Sequence, residues 1–69
     1  MVEIFKTDIT SKEEAAKIIC LLQSLFPSPK FNFDLKDIDN ILRVEGEYLN
    51  VEAIASLLNE KGFECLLLE

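Results

Sequence analysis

A chain of 69 residues, 49% of them apolar, has enough material for one small core and no second domain. Its net charge of −6, from 13 acidic and 7 basic side chains, removes the cationic footprint that nucleic-acid binding draws on. The absence of histidine and tryptophan excludes a histidine base, histidine metal ligation and a tryptophan-lined recognition site.

Other classes fall away on pattern. No apolar run approaches the roughly 18–20 residues of a membrane span. The start, Met1-Val2-Glu3-Ile4-Phe5-Lys6, lacks the basic-then-apolar order of a signal peptide. Cys20 and Cys65 are far apart and form neither a disulfide framework nor a Cys-x-x-Cys motif. The expectation is a cytoplasmic domain over 1–69, with no cofactor.

In chain order, Val2 to Thr7 is rich in β-branched and aromatic residues and predicts a central strand, with Val2 and Ile4 on one face and Phe5 on the other. Thr10 and Ser11 each offer an N-cap, because Thr10-x-x-Glu13 and Ser11-x-x-Glu14 both match a capping box. Ala15, Ile18, Ile19, Leu22, Leu25 and Phe26 then recur at helical spacing, leaving Leu21 at the edge of the stripe and Cys20 opposite it. Phe26-Pro27-Ser28-Pro29 stops the helix, since a residue before proline avoids the α region.

Phe31, Phe33 and Leu35 alternate with Asn32, Asp34 and Lys36, the signature of a half-buried strand. Asp37-Ile38-Asp39-Asn40 supplies a turn, and Ile41 to Glu45 returns with Leu42 and Val44 inward, so the two strands form a hairpin. Asn50 caps a second helix whose inner stripe is Val51, Ile54, Ala55 and Leu58. Lys61 suits its C-terminus, Gly62 suits the left-handed position after it, and Phe63 to Leu68 predicts a last strand. The order β-α-β-β-α-β with right-handed crossovers gives an α+β, ferredoxin-like βαββαβ sandwich. It has a four-stranded antiparallel sheet and two helices on one face.

That order, together with the helix Val51 to Glu60 and the run Lys61-Gly62-Phe63-Glu64-Cys65, resembles the heavy-metal-associated domain of copper chaperones and metal-pumping ATPases. The family's metal loop reads Gly-Met-Thr-Cys-x-x-Cys-Ala. Here the aligned stretch is Asp8-Ile9-Thr10-Ser11-Lys12-Glu13-Glu14-Ala15. Ile9 can replace the packing methionine, and Thr10 and Ala15 are retained. Ser11 and Glu14 stand where the resemblance places thiolates. Hydroxyl and carboxylate are hard ligands and a soft copper site needs sulfur. The resemblance therefore implies the fold and a habit of docking to other proteins, and no heavy-metal site.

Asp8, Ser11, Glu13 and Glu14 could ligate a hard cation, but calcium wants six or more converging oxygens, and helix capping explains the same residues. Asp34, Asp37 and Asp39 cluster at the hairpin, where aspartate suits turn geometry. Phe31 and Phe33 alternate with Asn32, Asp34 and Lys36, which points them into the core and not toward stacked bases. Cys20 faces solvent in mid-helix and Cys65 reads as a small core residue. With Cys65 and Leu67 inward, Leu66 and Leu68 face outward, and Phe5 and Ile41 are expected to join them. Such a cluster on an open sheet face points to a partner surface, beside an edge strand that can pair with another chain; the alternative is ordinary scattered surface leucines. The sequence thus predicts a non-enzymatic domain that binds a protein partner or itself, with no nucleic acid or membrane. The alternatives are a metal-binding domain with substituted hard ligands and a small-molecule regulatory domain.

Overall fold

In the computed structural model, which describes residues 1–36 and 38–68, six elements follow the expected order. They are β1 (Val2–Thr7), α1 (Lys12–Leu25), β2 (Lys30–Asp34), β3 (Ile41–Glu45), α2 (Val51–Glu60) and β4 (Cys65–Leu68). The strands form one antiparallel sheet in the order β2-β3-β1-β4. Two interleaved β-α-β crossovers produce that order, and the fold is the ferredoxin-like sandwich.

Registry decides what each face carries. Phe5 pairs with Leu42 on β3 and with Leu67 on β4, and Leu42 pairs with Phe33 on β2. That row, with Phe31 and Val44, turns toward the helices. Ile18 and Leu22 of α1 and Ile54 and Leu58 of α2 complete the core there. Among the described residues no helix lies on the opposite face. Across it run Lys30, Asn32 and Asp34 on β2, Ile41, Arg43 and Glu45 on β3, Val2, Ile4 and Lys6 on β1, and Leu66 and Leu68 on β4.

The face of β1 is therefore the reverse of the expected one. Phe5 is fully buried, at 0% exposure, and is no part of a partner surface. Val2 and Ile4 lie on the open side instead. A strand with apolar residues on both faces has no periodicity to orient it. Thr7 helps settle the matter. It shares the inward face, and its Oγ1 donates to Asn40 O at 2.6 Å and accepts the Ile9 N–H at 3.2 Å, so a buried hydroxyl is satisfied.

Two smaller differences concern ends. Leu25 belongs to the predicted stripe but is 55% exposed, in the last turn before Phe26. β4 begins at Cys65 and not at Phe63, because the backbone before it is already committed. Phe63 N–H donates to Leu58 O and Gly62 N–H to Asn59 O, each at 3.0 Å, closing α2 with a Schellman motif around Gly62 at φ 92°. Of the turn residues Asp37, Ile38, Asp39 and Asn40, Asp37 lies outside the described residues; Asn40 adopts φ 48°, the left-handed region asparagine tolerates.

Candidate functional site

The first place to look is the β1–α1 junction. Ser11 is the N-cap: its Oγ accepts the Glu14 N–H at 3.3 Å, which decides between Thr10 and Ser11. The carboxylate that meets the cap is Glu13, which accepts the Ser11 hydroxyl proton at 2.8 Å. Asp8 is also engaged. Its Oδ1 accepts the Glu64 N–H at 2.9 Å and ties the start of β4 to the end of β1. Ile9 beneath them is fully buried and anchors the loop to the core.

The donor chemistry here does not suit a soft metal. The only cysteines are elsewhere: Cys20 is an exposed thiol in mid-α1, and Cys65 is buried on β4 opposite Thr7. Burial raises the Cys65 thiol from its ordinary 9.0 to about 11, so it stays protonated at neutral pH. For a hard cation, Asp8, Ser11, Glu13 and Glu14 share a neighbourhood but not a common centre. Among the described residues no three or more cysteine or carboxylate side chains are arranged to hold a metal ion. At the hairpin, Asp34 Oδ1 accepts the Lys36 N–H at 3.1 Å, and Asp39 lies 3.6 Å from Lys6 Nζ. Both contacts are those of a solvated turn.

The second place is the open face beside β4. Leu66 is 60% exposed and Leu68 39% exposed. Leu68 pairs directly with Ile4, and Leu66 pairs with Lys6, which in turn pairs with Ile41. Val2 extends the strip along β1. Three of the four residues expected on this surface (Ile41, Leu66 and Leu68) stand on the open face, Ile41 only half exposed; Ile4 and Val2 replace Phe5. Their alternation with Phe5 is visible in the sequence, but not which set faces out. Toward β2 the same face becomes polar and charged, with Arg43 Nη1 3.1 Å from Glu45 Oε1. The apolar strip thus ends at the outer edge of β4, which among the described residues has a neighbouring strand on one side only.

A third feature was not legible in the sequence. Between α1 and the free edge of β2 runs an open groove floored by Ala15, Ala16, Ile19, Phe33 and Leu35. Lys12, at the start of α1, and Lys36, just after β2, both border it, because the parallel run of β1 and β2 puts these two chain positions at the same end of the sandwich. No local spacing could have signalled that they share one groove.

No family model matches the chain, and no curated protein does. Among solved structures, the solution structure of a yeast copper transporter domain, determined in apo and Cu(I)-loaded states, superposes with a TM-score of 0.81. The match covers 99% of this chain and 94% of that one. At 20% identity it establishes the shared fold. No helix among the described residues is long and apolar enough to cross a membrane.

Proposed function

We propose that this is a non-enzymatic protein-interaction module of the heavy-metal-associated type, which docks a protein through the β4 edge and the adjoining open face. One observation carries the reading. Leu66 and Leu68, with Ile4 and Val2 beside them, form a continuous apolar strip that no helix covers, next to a strand with an unpaired edge. Edge strands are ordinarily blunted by lysine, proline or a bulge. Within Cys65–Leu68 there is none of these. A photo-crosslinking amino acid in place of Leu66, in cells that express the protein, should yield a covalent adduct to a protein. The same group at Glu52, exposed on α2, should yield none. No adduct at position 66, or equal adducts at both, would sink the reading.

A second reading is favoured by the likeness to a copper transporter domain: a metal-handling domain whose ligands have changed to Asp8, Ser11, Glu13 and Glu14. Supporting it is the place of these residues at the β1–α1 junction; opposing it are the hydrogen bonds that occupy Asp8 and Ser11. Calorimetric titration with magnesium, calcium, manganese, zinc and copper(I) tests it. The absence of both heat and a shift in melting temperature removes it.

A further inference from the structure

Among the described residues β2 pairs only with β3, so one row of its N–H and C=O groups faces outward and can take another strand. Beside that edge lies the groove floored by Ala15, Ala16, Ile19, Phe33 and Leu35. Lys12 and Lys36 border it, and neither belongs to an ion pair among the described residues. Asp34 also borders it, with one carboxylate oxygen turned to the Lys36 N–H. On a chain of net charge −6, two uncommitted ammonium groups beside an apolar floor are a local reversal of sign.

β4 has the complementary chemistry. It is a four-residue apolar strand entered through Glu64, whose N–H is held by the Asp8 carboxylate. Leu67 lies on the helix side, in register with the buried Phe5, yet it remains 40% exposed. Strand direction makes the fit specific. β1 is antiparallel to both β3 and β4, and β2 is antiparallel to β3, so β4 and β2 run opposite ways. A β4 laid on the free edge of β2 in another copy, with the helices kept on one side, continues the antiparallel alternation. It brings the Asp8–Glu64 end to the Lys12–Lys36 end and turns Leu67 to the groove floor.

We infer that the α1–β2 groove receives the β4 strand of a second copy of this chain, so that copies join head to tail through one sheet. This rests on the reading of β4 as a docking edge and names its occupant. A two-fold pairing of β4 with β4 would bury leucine on leucine, but it offers no cation to the Asp8–Glu64 pair. The head-to-tail contact supplies two. Being heterologous, it does not close at a dimer.

Sedimentation velocity on the whole chain, from about 10 μM to about 1 mM, covers the range expected for a short, partly polar interface. The wild type should pass beyond dimer as concentration rises, and salt at about 0.5 M should weaken the assembly at least several-fold. The double variant Lys12→Glu/Lys36→Glu retains a donor strand but no acceptor. Leu67→Asp retains the acceptor but no donor. Each alone should remain monomeric, and an equimolar mixture should form a heterodimer that grows no further. Glu64→Lys, which leaves the apolar packing untouched, is the second donor variant should Leu67→Asp not fold. A wild type monomeric throughout overturns the inference, as does a dimer unaffected by the lysine reversals or a mixture that stays monomeric. If the purified chain is monomeric while the adduct at position 66 forms on a different protein, the second-copy occupant fails and the docking reading stands. If neither self-association nor adduct is found, both fail.

Discussion

β4 and β2 close the same sheet on opposite sides, and each has one row of backbone groups with no strand beyond it. Around β4 the exposed side chains are leucines, and Asp8 and Glu64 stand at its entry. Around β2 they are Lys30, Asn32, Asp34 and Lys36, and the apolar surface is withdrawn into the groove under α1. One edge offers burial with an acidic end, the other a cationic end over an apolar floor. Two edges of a single sheet need not be equivalent, and the fold alone does not say which of them is used. That is decided by the residues each strand turns outward.

The largest expected effect separates the outward face of β1 from its inward face, and so tests whether the strip beside β4 has been identified correctly. Phe5→Ala empties a fully buried site in the central row and should cost about 3–5 kcal/mol. For so small a domain that is much of the total stability. Ile4→Thr, one residue away on the open side, should shift the urea midpoint far less. Equal losses would mean that the two faces are not divided as described.

This boundary is also where the sequence stopped being legible. Phe31 and Phe33, or Leu42 and Val44, alternate with polar neighbours, so their strands announce their inward face, although β2 ends at Asp34 and the expected Leu35 and Lys36 belong to the turn. Ser11, Asn50 and Gly62 announce helix ends, because capping is local chemistry. β1 carries Val2, Ile4 and Phe5 across both faces, and its orientation depends on which of them meets Leu42 and Leu67, strands distant in the chain. The presence of Lys12 and Lys36 on one groove is equally non-local. The fold was thus readable from periodicity. The apolar strip on the open face was readable only in part, because that face is set by register and not by pattern.

Next in size is the alkaline response of the β4 edge. Cys65 is the buried side chain of β4, and its thiol is raised from 9.0 to about 11 by burial. Because the folded form resists ionisation, the stability linked to this group is complete below about pH 9. It is lost as pH rises through about 11, when the unfolded chain binds fewer protons than the folded one. The difference in melting temperature between wild type and Cys65→Ala should therefore shrink over that window. A constant difference would show that burial does not hold the thiol protonated. At pH 8 a thiol reagent should label exposed Cys20 well before Cys65.

The junction beneath β4 gives a smaller, sharper test. Ser11→Ala should cost about 0.5–2 kcal/mol through loss of the α1 cap, and Thr10→Ala should be nearly silent. Were the losses reversed, the helix would start one residue earlier, and Asp8 would no longer be placed to hold β4 as it does.

The two edges are finally distinguished by what ties them down. β4 is tethered at its start by the Asp8 carboxylate on the Glu64 N–H at 2.9 Å. β2 is tethered at its start by the Gln23 side chain, whose Nε2 donates to Pro29 O at 3.1 Å. Each is one hydrogen bond near solvent, so Asp8→Ala should cost about 1 kcal/mol and Gln23→Ala about 0.5 kcal/mol, the charged acceptor making the stronger bond. The global loss is less telling than where it falls. Amide exchange should quicken at Glu64 to Leu66 in Asp8→Ala while Phe31 to Phe33 hold their protection, and the reverse should hold in Gln23→Ala. Exchange that quickens at both edges in either variant would mean that the edges open as one unit. Separate opening would show that each edge is held by its own local contact and not by one cooperative unit shared across the sheet.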